Sequence, residues 1–403
     1  MSRSSIGTSS RRRRTTSPRP RCRPRCGMGG SCIARDGVIR LDTVTTPGPR
    51  PTITEVARLA GVGRSSAARA LGGYGSVSES TRDRVLAAAR ELGYETNELA
   101  RSMSTGETRT IGVVLADIAN PFFAGVLRGI TEVCAAEGFD TIVVNTDEDV
   151  EREQAAVRLM LAKQVDGIVV SPTGGADADA DHLEAAISRG VPVVQLDRTL
   201  SRLPGPAVVL DNREAAFAAT QELLSAGHRR IALAWGPRSE VPADTVAGLQ
   251  TAAQADLSTT RERLIGYLRA LADAGLPADP RLVMTGDQTV DGVARFTREA
   301  LSAERPPTAV VVTETDAALG VLQVLREQSL QSPRDLSLVG FDDAPWVQYL
   351  DPPLTVLSQP VEELGERSAQ ELLALMRGRP VSASLVHLSA RLIRRSSVAS
   401  LPS

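Results

Sequence analysis

Histidine and cysteine are scarce in this chain, with three of the one and four of the other in 403 residues. Four cysteines do not make a disulfide scaffold at this length. Cys22, Cys26 and Cys32 lie together in one arginine-rich tail, without a histidine nearby to complete a metal site. The histidines, His182, His228 and His387, are scattered, and no Walker loop, zinc-ligand spacing or nucleophile elbow accompanies them. His228, beside Arg229-Arg230 and ahead of an apolar run, reads as structural. Enzymatic chemistry therefore has no visible machinery, and no cofactor or metal is expected. Long apolar runs are also missing: none approaches the roughly 18–20 residues of a membrane-spanning helix. Arg11 to Arg14 form a block, but no apolar stretch follows it, so an export signal is not indicated. Aromatic residues make up only 3%, while 42% hydrophobic and 23% charged residues are ordinary for a folded protein. The expected setting is cytoplasmic.

The formal net charge of −2 conceals an uneven distribution. Residues 1–50 carry twelve arginines against Asp36 and Asp42, residues 51–109 carry eight arginines against seven acidic side chains, and the remainder is acidic. A basic front on an acidic body points to nucleic-acid contact near the N-terminus. Residues 1–50 are of low complexity and lack an apolar pattern, so they are expected to be disordered. Two readings stand for them, a solvated basic arm or a translation start assigned upstream of the true one.

Recognisable pattern begins near Pro51. Thr52 followed three residues later by Glu55 forms a capping box at the head of a helix whose apolar face holds Val56, Leu59 and Ala60. After Gly61-Val62-Gly63 a second short helix is expected over 64–71. Ser78 then caps a third over 79–92, with Val85, Leu86 and Ala89 at helical spacing. Three short helices with a tight turn between the first two make a helix-turn-helix. From residue 110 the texture alternates. Valine- and isoleucine-rich strands at 111–115, 141–145, 167–170, 191–196, 207–210, 230–234, 282–285, 309–313 and 336–340 are separated by helical stretches at 122–137, 152–163, 182–189, 261–274, 292–302 and 317–328. Such strands belong to parallel sheets buried on both faces. Their number suits two sheets, hence two subdomains, with ligands bound at the carboxyl ends of the strands.

These residues then resemble a known family. Thr52-Ile53-Thr54-Glu55-Val56-Ala57-Arg58-Leu59-Ala60-Gly61-Val62, Val77-Ser78-Glu79-Ser80-Thr81-Arg82 and Asn97-Glu98-Leu99-Ala100-Arg101-Ser102-Met103 are similar to the DNA-binding domain and hinge helix of the LacI/GalR (lactose/galactose repressor) family. Asn120-Pro121-Phe122-Phe123, Leu196-Asp197-Arg198, Gly227-His228-Arg229-Arg230 and Val339-Gly340-Phe341-Asp342-Asp343 continue the likeness in family order, over about residues 51–399. The resemblance implies an α/β architecture: a three-helix DNA-binding domain (51–96), a hinge helix and linker (97–109), and a periplasmic-binding-protein-like body with two doubly wound parallel sheets (110–399). Within the body the first subdomain is expected at 110–210 and 343–377, and the second at 211–342 and 378–399.

The resemblance also implies roles. The second helix would lie in the major groove, with Arg64 and Ser65 on base-reading positions, Ser66 on a phosphate-contact position, and Arg69 on the arginine of the family's Thr-Val-Ser-Arg stretch. Arginine suits bidentate contact with guanine. This chain has Gly63-Arg64-Ser65-Ser66-Ala67-Ala68-Arg69 where the family usually has Ser-x-x-Thr-Val-Ser-Arg. Asn97, Ala100 and Met103 fall on the hinge, with Met103 as the apolar wedge for the minor groove. For the effector, Asp117, Arg198, Arg263, Gln288 and Asp316 fall on strand-end positions lining the crevice. Phe122 and Phe123 read as core from the residues alone, whereas the resemblance makes one of them a wall of the ligand site. In Glu314-Thr315-Asp316-Ala317-Ala318-Leu319-Gly320 the family's Asn-Asp loop is altered, so either Asp316 or Thr315 holds the ligand-facing position. The segment 237–258 is longer than usual before Arg263.

The function implied is a transcriptional regulator, a repressor by resemblance, acting on a pseudo-palindromic duplex operator under the control of a small effector. A sugar is expected, and a nucleoside suits the same pocket composition. The partner is a second copy of the chain, as a homodimer or a tetramer. The competing reading is the solute-binding protein of a transporter, which shares the body but needs an export signal and has no use for residues 52–103.

Overall fold

A computed structural model describes residues 51–72, 75–94, 106–238, 243–379 and 385–401. The chain divides into two compact units, one ending at Tyr94 and the other beginning at Glu95. The expected hinge residues Asn97, Ala100 and Met103, and the basic tail 1–50, lie outside the described residues.

In the first unit, helix α1 (Ile53–Leu59) starts at the capping box. Glu55 accepts from the Thr52 amide at 2.7 Å, and the Glu55 amide donates to Thr52 Oγ1 at 3.4 Å. Helix α2 (Arg64–Gly72) follows the Gly61–Gly63 turn, and α3 (Glu79–Leu92) is capped by Ser78 and closed by left-handed Gly93. Val56, Ala57, Ala60, Ala67, Ala70, Val85, Ala88 and Ala89 form one small core. The alanines matter here. With so little side-chain bulk between them, three short helices approach closely enough to exclude water from the centre.

The second unit holds two sheets. The first has six strands in the order β10-β5-β4-β3-β1-β2, from β1 (Thr110–Leu115), β2 (Asp140–Asn145), β3 (Gly167–Val170), β4 (Val193–Leu196), β5 (Ala207–Leu210) and β10 (Leu385–Leu388), all parallel. The second has the order β11-β9-β8-β7-β6, from β6 (Ile231–Ala234), β7 (Ala309–Val312), β8 (Ser337–Phe341), β9 (Thr355–Ser358) and β11 (Arg391–Ile393), with only β11 antiparallel.

Helices cover both faces of each sheet. On the first sheet α4 (Pro121–Ala136) and α12 (Val361–Met376) share one face, and α5 (Val150–Ala162) and α6 (Asp181–Ser188) the other. On the second, α7 (Asn212–Ser225) and α9 (Ser258–Asp273) lie against one face, and α10 (Val290–Leu301) and α11 (Thr315–Glu327) against the other, while α8 (Val246–Gln254) packs on α9. The α4–α12 pair meets at Gly129 and Gly365. A Cβ on either would fall 2.1 or 2.0 Å from a carbonyl oxygen of the other helix, so these two helices touch backbone to backbone.

Two details depart from the sequence reading. The chain crosses between subdomains after β5, between β9 and α12, and between β10 and β11. Residues 355–358 therefore belong to the second sheet, and 385–388 to the first, opposite to the expected division at 342/343 and 377/378. The reason is pairing: β9 bonds to β8, whose edge is otherwise free, and β10 bonds to β5. The strand expected at 282–285 is a 3-10 turn (Pro280–Leu282) with a single bridge from Val283 to Leu233. Pro280 and the Asp279 cap favour the turn over a ladder.

Candidate functional site

On the DNA-binding unit, α2 presents Arg64 and Ser65 fully to solvent, with Ser66 and Arg69 half-buried, while Ala67 and Ala70 face the core. Gly63 replaces a capping side chain, and its carbonyl accepts from the amides of Ser66 and Ala67 at 2.9 and 3.0 Å. Arg69 folds back along the helix, donating from Nε to the Ser65 carbonyl at 3.3 Å. The arrangement leaves one exposed helix face with an unpaired arginine at its start, at the positive end of the helix dipole, suited to approach a phosphate-lined groove.

In the body, a cavity of about 1070 Å³ opens between the two subdomains. All seven expected residues line it: Asp117, Phe122, Phe123, Arg198, Arg263, Gln288 and Asp316. The topology explains the convergence. Each comes from a strand's carboxyl end, the turn after it, or a helix packed beside it. Asp117 follows β1, Arg198 follows β4, and Glu314 to Asp316 follow β7. Parallel strands all end on the same side, so their following loops gather at one crevice. Four non-glycine residues of this rim, Glu148, Asp197, Trp235 and Asp342, have left-handed backbone with φ of 60, 64, 76 and 67°. Residues of these types hold such backbone against its cost only where surrounding contacts fix it, and such positions concentrate at functional sites.

The phenylalanines serve as core and wall at once. Phe122 and Phe123 belong to the buried cluster under α4 and also border the cavity, edge to face with ring centres 5.0 Å apart. The guanidinium of Arg198 lies 5.8 Å from the Phe123 ring. Arg198 is 8% exposed and holds Glu148 through two bonds of 2.7 Å, one from each terminal nitrogen, with Asp197 at 3.4 Å. Burial opposes its charge, but the Glu148 bonds keep its pKa above the ordinary value. Burial likewise disfavours the Glu148 carboxylate, yet the bonds from Arg198, with Arg238 nearby, leave its pKa below the usual value.

Arg263, on α9 and 6% exposed, donates to Asn212 Oδ1 at 2.7 Å, the Thr313 carbonyl at 2.8 Å and Glu314 Oε1 at 2.6 Å, and lies 4.7 Å from the Phe341 ring centre. Gln288 accepts from Arg238 at 2.6 Å and donates to the Gly236 carbonyl at 2.7 Å. Deeper in, Asp342 accepts from Gln359 at 2.7 Å. Burial, with Glu314 adding repulsion, pushes the Asp342 pKa up to about 7, and burial pushes Asp197 up to about 6 despite Arg198 and Arg263. Asp316 is raised by partial burial and by the Asp117 carboxylate. Those two come from different subdomains and sense each other within the cavity.

The sequence reading did not assign Glu148, Trp235, Arg238, Glu314, Asp342 or Gln359 to the lining. Asp342 lay inside a quoted motif and followed an apolar strand, which is the signal that would have found it. Glu148 stands in an acidic run, Asp147 to Asp149, that looks like a solvated face from sequence alone. Both Thr315 and Asp316 border the cavity, as does Glu314.

The long segment before Arg263 forms contacts across the cleft. The Ala176 amide donates to the Asp256 carbonyl at 3.1 Å, and the Thr199 amide donates to Ser258 Oγ at 2.9 Å. Gly175 is required there, because a Cβ on it would sit 2.2 Å from the Ala255 carbonyl oxygen.

Known proteins share this fold. Residues 108–387 match the family described as periplasmic binding proteins and sugar binding domain of LacI family, and residues 52–97 match bacterial regulatory proteins, lacI family. The chain is 32% identical over 351 residues to the HTH-type transcriptional repressor CytR of Escherichia coli (strain K12), covering 87% of this chain and 97% of that protein. Among solved structures it is similar to the transcriptional regulator CelR–cellobiose complex, with a TM-score of 0.61, 31% identity, and coverage of 86% of this chain and 100% of that one. It is also similar to the lac repressor dimer bound to operator and the anti-inducer ONPF, with a TM-score of 0.72, 25% identity, and coverage of 87% and 99%. With both family matches in place along one chain, the protein belongs to the LacI family of DNA-binding transcriptional regulators.

Proposed function

We propose that this protein is a repressor whose hold on an operator is set by a small molecule, a sugar, bound between the two subdomains of the body. The observation that carries this reading is the cavity itself. It is walled by strand ends of both sheets, and its seven expected residues arrive from both subdomains. A ligand touching both walls binds one relative placement of the subdomains better than another, and that difference is what shifts a conformational equilibrium. The CelR complex holds cellobiose in a relative of the same fold, which supports a sugar.

In this reading Arg64 and Ser65 read bases, and Ser66 and Arg69 fix the phosphate backbone. Asn97, Ala100 and Met103 act in the hinge, with Met103 as the minor-groove wedge. Asp117, Arg198, Arg263, Gln288 and Asp316 hold ligand hydroxyls directly or through water, with Phe122 and Phe123 as the apolar wall. Two copies of the chain would place two α2 helices on the half-sites of a palindrome. The protein acts without a metal or cofactor, in the cytoplasm on chromosomal DNA.

The test is a thermal-shift and calorimetric screen of neutral sugars and nucleosides on the full chain, repeated with Arg198→Ala. A sugar that binds the wild type and is lost in the variant supports the assignment. A binding sugar whose affinity Arg198→Ala leaves unchanged would place the effector elsewhere.

A further inference from the structure

The two buried cations of the cavity, Arg198 and Arg263, are already matched by carboxylates. Among the described residues its lining carries seven carboxylates and three arginines, with no lysine or histidine. Arg198 grips Glu148 with both terminal nitrogens, and Arg263 grips Glu314 at 2.6 Å. Arg238 donates to Gln288 and stands 3.8 Å from Glu148. After this pairing Asp117, Asp316 and Asp342 have no ion pair among the described residues, Asp197 stands 3.4 Å from Arg198, and Asp287 turns to Arg295 at 2.8 Å.

Helix N-termini offer the other common anion seat: that of α4 beside the cavity is capped, that of α11 carries a carboxylate in its first turn, and that of α9, at Thr259 and Thr260, has no side-chain cap. The Phe122 amide of α4 donates to Asn120 Oδ1 at 3.0 Å, and the first turn of α11 carries Asp316 itself. A phosphate or carboxylate entering here would meet more carboxylates than guanidiniums, and the buried Arg198 and Arg263, the groups that normally recognise it, are already bonded to Glu148 and Glu314.

We propose that this cavity is selective against anionic ligands, and that Glu148 and Glu314 determine that selectivity by occupying Arg198 and Arg263. The effector is then a hydroxyl-rich molecule without a phosphate or carboxylate. Sugar phosphates and sugar acids are rejected. This inference rests on the effector reading above and narrows its ligand class.

The argument has a direct reversal. Glu148→Gln keeps the shape of the side chain, removes one negative charge and releases the Arg198 fork. Glu314→Gln removes the charge opposite Arg263, whose bonds to Asn212 and the Thr313 carbonyl remain and whose second terminal nitrogen then faces an entering anion. The probes are inorganic phosphate, ribose 5-phosphate and glucose 6-phosphate, each measured by calorimetry against the full chain beside ribose and glucose. For the wild type, the expectation is no saturable binding of any of the three anions tighter than about 1 mM. At least one of the two variants should bind an anion about tenfold or more tightly than the wild type does, and adding Arg198→Ala or Arg263→Ala to that variant should abolish the gain.

Saturable binding of an anion by the wild type, removed by Arg198→Ala, Arg238→Ala or Arg263→Ala, would overturn the inference. So would two folded variants, with melting points near the wild type, that gain no anion affinity. If Glu148→Gln does not fold, Glu314→Gln decides alone. Failure of the neutral sugars is a separate result: it counts against the sugar-effector reading and leaves the anion comparison standing.

Discussion

Arg263→Ala is the substitution whose cost the structure lets one work out. The guanidinium is bonded to the buried Asn212 side chain, the Thr313 carbonyl and the Glu314 carboxylate, and lies against Phe341. Truncation leaves the Asn212 oxygen and the Thr313 carbonyl short of a donor, at about 1 kcal/mol each. It also removes the contact with the aromatic ring, worth about 0.5–1 kcal/mol. Glu314 is partly exposed toward the cavity and can turn to water, so its share is smaller than the about 3–5 kcal/mol typical of a fully buried pair. The total is about 3 kcal/mol, which for a body of this size lowers the melting temperature by about 5 °C. Thermal unfolding followed by circular dichroism measures it, with Arg263→Lys as the partner variant: it restores charge to Glu314 but not the fork, and should recover only part of the loss. An Arg263→Ala protein melting within about 2 °C of the wild type would refute the account of the arginine as a structural post of the wall. Because this side chain both holds the wall together and borders the cavity, loss of the effector response in Arg263→Ala is not by itself proof of ligand contact. Arg198, likewise buried and bonded to Glu148, calls for the same melting comparison beside its ligand binding.

Three further outcomes follow from other parts of the molecule. Asp342, raised to about 7, should make the protein more stable as pH falls: the stabilisation is full below the unfolded carboxyl pKa and is lost as pH rises through about 7. Between pH 8 and 6 the gain is about 1 kcal/mol from this group, and Asp342→Asn should remove it. A melting profile unchanged by that variant would show that Asp197, raised to about 6, carries the titration instead. Gly175→Ala forces a Cβ against the Ala255 carbonyl, so it should break the Ala176–Asp256 contact across the cleft and lower stability by about 1–3 kcal/mol; wild-type melting would mean that this contact is not made. Arg64→Ala should reduce the preference for operator over random duplex by about 1–3 kcal/mol without changing the melting point, since the side chain is exposed; equal weakening on both DNAs would make Arg64 a phosphate contact instead.

The parts of this molecule that were legible in its sequence are those governed by local rules. The capping box of α1, the glycine turn and the Ser78 cap mark the helix-turn-helix because each is satisfied within a few residues. The valine-rich strands declare a doubly wound body because burial on both faces leaves no polar alternation. What resisted was long-range pairing. Nothing near 355–358 or 385–388 says which of two sheets each strand will join, since that depends on which edge is open after the other strands have paired. The same limit applied to the site. Phe122, Arg198 and Asp316 were found through a likeness to a family, whereas Glu148 and Arg198 are 50 residues apart and only the fold brings the carboxylate to the guanidinium. Helix α7 escaped notice because its buried face is mostly Ala215, Ala216, Ala219 and Thr220, small residues that give a weak apolar signal.

The central claim is that the cavity and the DNA-binding face are coupled. The most direct measurement takes an operator selected from random duplexes by the full-length protein and titrates it, by fluorescence anisotropy, at increasing concentrations of a sugar that calorimetry shows to bind. The account predicts a change of about 5–150-fold in operator affinity, and by linkage the same factor in sugar affinity when operator is present. A sugar that saturates the cavity, with binding lost in Arg198→Ala, while operator affinity stays the same at every concentration, would contradict it.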